Sequence, residues 1–369
     1  MRDSDGNPTG VLVDHATDLV KSQIPPLSAK RIEQALQAAT KKLTQFGLTS
    51  VHDAGIGLHD SGIASETTAI YQRLAMEKAL VIRVNGMLHH RSDNLYRLLE
   101  SGPYTSQDGF LQINSVKVYS DGALGSSGAA LSGDYSDQPG NRGLMLLTRG
   151  ELERTIATIM DAGFQANTHA IGDLAIRTVL DIYQKLIANT NTRGLRHRIE
   201  HASIVANEDF QRFGELEVIA AIQPMFVPSD KEMVMVRLGE HRASMTYAWR
   251  SLLSAGAKIC AGSDFPVEVP NPFHGLHAVV NRTNLENLPE GSWFPEQKLT
   301  REETFAAYTL DAAYASHQET IIGSLEPGKK ADFILVDQDI FSVPDEKIAN
   351  TRVLETWIGG EQKYRHFEY

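Results

Sequence analysis

The sequence predicts an α/β chain built as a (β/α)8 TIM-like barrel that lacks its first βα unit and carries part of a small β-sandwich. Three observations predict it. Apolar, β-branched runs alternate with helical patterns between residues 49 and 266, the signature of parallel strands joined by crossover helices. The runs number seven, one short of a closed barrel, and neither GxGxxG nor GxxxxGK[ST] occurs to support the competing open, doubly wound sheet. Beyond residue 320 the pattern changes to short runs set off by Gly-Pro turns, as antiparallel strands require. The expected division is therefore a barrel over 1–320 and a β appendage over 321–369.

The elements follow in order. DSDGNPTGVLVD near the start reads as a hairpin-like turn leading into a strand. The helical pattern SAKRIEQALQAATKKLTQFG comes next, with Ser28 placed to cap it and Gly47 to end it. Thr49–His52 is the first barrel strand, followed by runs at 79–88, 111–122, 163–173, 196–205, 217–226 and 257–266. Helical stretches such as TRGELERTIATIMDAG and DLAIRTVLDIYQKLIAN lie between them. After the last run, Pro266, Pro270 and Pro272 keep the loop irregular, because proline has no N–H to give a helix or sheet. GSLEPGKKADFILVDQD and RVLETWIGGEQKY supply the strands of the appendage.

Composition narrows the function. A formal charge of −11 argues against nucleic acid, whose phosphates need clustered cations. No apolar run approaches the ~20 residues that cross a bilayer, and the start has no basic or apolar leader, which favours the cytoplasm unless an exported precursor carries a signal peptide. The single cysteine, Cys260, rules out a disulfide framework within the chain and reads as a small core residue.

In a barrel the C-terminal strand ends converge on one mouth, so polar residues placed there meet although they are far apart in sequence. Lys117 lies inside its strand and Asp121 ends it; His169, His201 and Asp264 end three others. Two imidazoles and a carboxylate suit a divalent metal, Zn²⁺ by ligand type, with Mn²⁺ and Fe²⁺ also compatible. Lys117 reads as an ion-paired cation, a buried neutral amine or a carbamylated lysine bridging metals, and the residues alone leave this open. His52 and Asp53 read as caps of the following turn, and the remaining histidines as surface or supporting groups. The small residues of DGALGSSGAAL let backbone approach a ligand, so Asp121, Gly122 and Leu124, together with Gln223, are candidates for the substrate pocket; a surface loop explains the stretch nearly as well.

Taken together, GNPTGVLVD, GLTSVHDAG, VKVYSDGALGSSGAAL, THAIGD, RIEHAS, AGSDFPV and GSLEPGKKADFILVD resemble the amidohydrolase superfamily, in particular its amidohydrolase-3, YtcJ-like branch. The resemblance implies a metal-dependent hydrolase barrel with one or two divalent ions, most readily Zn²⁺, and hydrolysis of an amide-type C–N bond in a small molecule. It places His169, His201 and Asp264 as metal ligands, Asp264 as the catalytic acid–base, and Lys117 where some relatives carry a carboxylated lysine. Relatives often have Arg where Ser127 stands.

One motif departs from the family. No His-x-His pair occurs anywhere, and the opening matches the family's middle, so the sequence is expected to be the C-terminal two-thirds of a longer enzyme with impaired activity. The two sheet edges left by an incomplete barrel would also favour pairing, a homo-oligomer included. The competing reading is a non-catalytic binding or scaffold protein on a degenerate hydrolase barrel.

Overall fold

The computed structural model describes residues 2–12, 14–25, 27–56, 64–92 and 94–366. The larger sheet holds β1 (Ser50–Ile56), β2 (Arg83–His89), β3 (Tyr104–Thr105), β4 (Leu111–Tyr119), β5 (Gln165–Ala170), β6 (Arg198–His201), β7 (Ile219–Ile222) and β8 (Ile259–Ala261). All but β3 run parallel, in the spatial order β1-β2-β4-β5-β6-β7-β8, so each crossover returns the chain to the neighbouring slot. The result is an incomplete α/β barrel whose edge strands, β1 and β8, each pair on one side among the described residues. β3 is an antiparallel addition to β4 that sequence reading misses, because two residues carry no period.

The helices form where the pattern places them. Thr148 and Glu151 make a reciprocal capping box at the start of the helix Arg149–Asp161, which then buries Leu152, Ile156, Ile159 and Met160 on one face. Ser28 accepts from the Arg31 amide at the start of the helix Ala29–Thr44, and Gly47 follows its end at φ 79°. None of the described helices is long and apolar enough to cross a membrane.

Two expectations need correction here. β1 continues to Ile56, so Asp53 sits within a strand and its carboxylate accepts from the Tyr71 hydroxyl at 2.8 Å instead of capping a turn. β6 is shorter than the run at 196–205, because His201 and Ala202 turn into the left-handed region at φ 77° and 44°.

The appendage is a three-stranded antiparallel sheet of β9 (Phe333–Val336), β10 (Val353–Ile358) and β11 (Glu361–Arg365), with β10 in the centre. It joins a second apolar core with the helix Pro272–Asn281 through Phe273, Leu276, Val280, Ile340, Ile348 and Val353. The Thr356 hydroxyl donates to the Thr44 carbonyl at 2.7 Å, and a buried Arg83–Asp332 pair at 2.7 Å ties β2 to the entry of β9.

Strand register sets the site. Lys117, Asn167 and Arg198 align at one level across β4, β5 and β6, and Tyr119, His169 and Glu200 at the next. Directly paired residues share a face, so two polar layers stack beneath the C-terminal mouth.

Candidate functional site

His169 is the penultimate residue of β5, and His201 ends β6 one register position beyond it. Their rings meet edge-on at 4.5 Å between centroids. Tyr119 lies 5.0 Å from the His169 ring on the other side, and Phe226 stacks parallel to the His201 ring at 6.2 Å. His201 Nδ1–H donates to Gln223 Oε1 at 2.8 Å, and Gln223 in turn donates to the Ala221 carbonyl. That bond fixes the tautomer and leaves His201 Nε2 with a lone pair.

Burial keeps both imidazoles neutral. It holds His201 down at about 3, with the Lys117 charge acting in the same direction, and it holds His169 well below the usual imidazole range, helped by His201 and Lys117. His169 Nε2 is buried without a hydrogen-bond partner and stands 3.6 Å from Asp121 Oδ1. An orphaned buried nitrogen beside a second neutral imidazole fits a divalent cation of intermediate softness. Among the described residues, however, no three imidazole, thiolate or carboxylate side chains stand together as a ready-made cation cage. The structure brings His169 and His201 into contact; the charge of Lys117 acts on both, and that of Asp264 on Lys117 and Tyr119.

Lys117 is buried, with Nζ 5.1 Å from the centre of the Tyr119 ring, and forms no ion pair among the described residues. Burial lowers its pKa, while Glu200 and Asp264 oppose that shift and Arg198 reinforces it. Asp264 occupies the left-handed region at φ 56°, three residues past β8, and is exposed at the mouth. The protein crowding one side of it raises its carboxyl pKa; Lys117 pulls the value back and Glu200 pushes it up. His201, Ala202 and Asp264 are three of the thirteen non-glycine residues held at positive φ among the described residues, a conformation that costs energy.

The expected pocket residues behave differently. Asp121 is fully buried, and its oxygens accept from the amides of Ala130 at 2.9 Å, Ile171 at 3.1 Å and Gly172 at 2.9 Å. It braces the loop after β4 against the loop after β5 instead of facing a ligand. Burial still lifts its pKa to about 7 against those three donors. Gly172 permits the brace, since a Cβ there would lie 1.9 Å from the Ala130 carbonyl oxygen. Leu124 belongs to the apolar core, Gly122 is buried and donates to the Gly128 carbonyl, and Gln223 orients His201.

Arg198 and Glu200 escape the sequence reading. Arg198 Nε lies 2.8 Å from Glu200 Oε1, Arg198 Nη2 donates to Glu200 Oε2 at 3.1 Å, and Nη1 donates to His52 Nδ1 at 2.9 Å. Two charged residues at alternate positions of RIEH, an otherwise buried strand, were the available signal. His52 thus faces the barrel interior instead of capping a turn, and burial holds it down at about 3 with Arg198 adding to the effect.

Further from the mouth, His197 is 1% exposed, accepts from the Ala166 amide through Nδ1, and is held by burial at about 4. The unfolded chain takes up a proton on such a residue below its ordinary pKa of about 6.5, whereas the folded chain refuses it until pH reaches the lowered value. Stability is therefore lost as pH falls. Acidification from pH 7 to 5 is expected to cost about 2 kcal/mol through His197 alone, with His52 acting in the same direction. Asp121, lifted to about 7, acts in the opposite direction, so urea unfolding of the parent and of His197→Gln at the two pH values checks this; an equal loss on acidification in both would contradict it.

With this geometry in hand, the relatives can be placed. The sequence matches the amidohydrolase family over residues 1–364. The chain belongs to that family. It is 33% identical over 378 residues to Protein LONG AFTER FAR-RED 3 of Arabidopsis thaliana, covering 99% of this chain and 63% of that protein. It is 30% identical over 366 residues to YtcJ of Bacillus subtilis (strain 168), which carries the name of an amidohydrolase, covering 99% and 67%. N-substituted formamide deformylase of Arthrobacter pascens is 25% identical over 378 residues, covering 98% and 66%. Among solved structures, an uncharacterized metal-dependent hydrolase from Pyrococcus horikoshii OT3 superposes with a TM-score of 0.75 at 28% identity, covering 89% of this chain and 64% of that one. The chain spans roughly two thirds of the length of these relatives. The family assignment and the barrel agree with the sequence reading.

Proposed function

We propose that the site hydrolyses a carbon–nitrogen bond in an amide-type small molecule with the help of a divalent metal, zinc by ligand type. One observation carries the reading: two adjacent, neutral imidazoles, one oriented by Gln223 and the other with a buried, unpartnered Nε2. His169 and His201 would hold the ion, with Lys117 and Asp264 proposed to complete its surroundings. When bound, a divalent cation supplies Lewis acidity to water and to the scissile carbonyl.

The chain's own residues do the rest. Burial keeps the imidazole lone pairs available at neutral pH, because the protonated forms are disfavoured. Asp264, exposed at the mouth, takes the proton from the attacking water on a carboxylate oxygen and returns it to the leaving nitrogen. Its raised pKa suits that exchange, since a general base works best near the operating pH. Tyr119 and Phe226 wall the imidazole pair on two sides and restrict water there. With no third imidazole, thiolate or carboxylate grouped with these two among the described residues, turnover is proposed to be slower than in a site with a full set of ligands.

A second reading, a binding protein on a hydrolase barrel, is favoured by the lack of a three-ligand cluster among the described residues. One experiment separates the two. Purified chain is loaded with Zn²⁺, dialysed and incubated with a panel of N-formyl and N-acyl amines. Retained zinc with release of free amine, abolished by Asp264→Asn, is the expected result. Retained zinc with no amine released from any member would leave the binding reading standing.

A further inference from the structure

The backbone that presents His201 is strained twice in succession, and something must hold it. His201 and Ala202 sit at φ 77° and 44°, a region that L-residues with a Cβ avoid. Immediately beyond them the Ser203 carbonyl accepts from the Tyr247 amide at 2.8 Å, Ile204 bridges to Thr246, and the Val205 amide donates to the Met245 carbonyl at 3.3 Å. Segment 245–247 therefore straps down the chain leaving His201. Tyr247 is itself at φ 53°, and its hydroxyl donates to Asp230 at 2.6 Å.

The strap is anchored by an unusual group. Arg282 follows the helix Pro272–Asn281 at φ 55° and is 0% exposed. Its Nη1 donates to the Tyr247 carbonyl at 2.9 Å and its Nε to the Trp293 carbonyl at 2.9 Å, while the Trp293 amide returns a bond to the Arg282 carbonyl. The guanidinium lies 5.5 Å from the Trp293 ring and 6.0 Å from that of Trp249. Among the described residues it has no ion pair, and Nη2 has no partner. A buried, unpaired cation is costly, and apolar packing could fill the same volume without that cost. One of its two bonds goes to a main-chain carbonyl of the strap, that of Tyr247, and the other ties it to Trp293, so it can anchor the strap.

We infer that Arg282 is a positioning residue: its guanidinium fixes Tyr247, whose amide holds Ser203 and thereby keeps the His201 imidazole turned against His169. Arg282 touches neither imidazole. It works through Tyr247 of the strap, then Ser203 and the strained Ala202, and the helix Pro272–Asn281 is thereby coupled to the mouth.

The test uses the full chain with ¹⁵N-labelled histidine. In Arg282→Met, the His201 ring resonances are expected to shift away from their parent positions and Co²⁺ retained after dialysis to fall about tenfold, the loss typical when support behind a ligand is removed. The cobalt measurement rests on the metal reading above, whereas the ring resonances do not. Arg83→Met, which removes an equally buried arginine at the other end of the barrel, is expected to lower stability while leaving the His201 resonances in place.

Glycine tolerates positive φ, so Ala202→Gly relieves part of the strain the strap opposes. The double variant Arg282→Met with Ala202→Gly is expected to regain folding and parent-like His201 resonances. Parent-like resonances in folded Arg282→Met overturn the inference, as does an equal shift in Arg83→Met. If Arg282→Met fails to fold, a double variant that also fails overturns it too.

Discussion

Replacing His169 and His201 together by alanine is expected to lower Zn²⁺ retention by more than about 100-fold while leaving the chain folded. The loss exceeds the 10- to 100-fold typical of removing a group behind a ligand, because both nitrogen donors go at once. Folding should survive, since each imidazole brings a neutral ring that is only partly satisfied. His169 Nε2 has no partner, and His201 is bonded to Gln223 alone among the contacts described above. Gln223→Leu should fall between parent and double variant, at about a tenfold loss, because it frees the His201 tautomer without removing the ring. Equilibrium dialysis against Zn²⁺ with circular dichroism of the same samples reads both quantities. Zinc retention in the double variant equal to that of the parent would remove these histidines from the metal site.

Register explains why so much of this site is readable before any coordinates. A parallel sheet of consecutive strands carries its C-terminal residues to one rim, so His169 and His201 meet because their strands are neighbours. Loop geometry is less legible. Asp121 has the same local sequence whether its oxygens face a ligand or three amides, and the amides come from residues 9, 50 and 51 positions away. The direction of Asp264 is likewise set by a left-handed turn after an edge strand, which apolar patterning does not encode. Arg198 and Glu200 are hidden for the opposite reason. They sit inside a strand whose burial suggests apolar residues, and only the shared interior of the barrel lets their charges pair with each other and reach His52. The His-x-His motif is absent from the sequence, and the described residues correspondingly bring two imidazoles, with no third ligand, into direct contact.

Stability depends on a charge pair far from that chemistry. Asp332→Ala is expected to destabilise the fold by about 3–5 kcal/mol, the usual penalty for leaving one member of a buried pair alone. The two side chains are 2% and 4% exposed, and the contact is a fork: Arg83 Nε donates to Asp332 Oδ2 at 2.7 Å and Nη2 to Oδ1 at 3.0 Å. Asp332 also accepts from the Gly359 amide at 2.7 Å, so its loss strips the turn between β10 and β11 as well. The stranded guanidinium would keep only the Gly109 carbonyl at 3.3 Å and the face of Phe110 at 4.6 Å. Replacing both partners, Arg83→Met with Asp332→Leu, should recover most of the loss, because no charge is then left in an apolar seam. If the pair couples the appendage to the barrel, Asp332→Ala should also separate one unfolding transition into two, with the three-stranded sheet melting first. Urea titrations followed by tryptophan fluorescence and circular dichroism distinguish the outcomes, since Trp357 reports the appendage and Trp249 the barrel. A cost below about 1 kcal/mol for Asp332→Ala would mean that solvent reaches this seam and the pair behaves as a surface one.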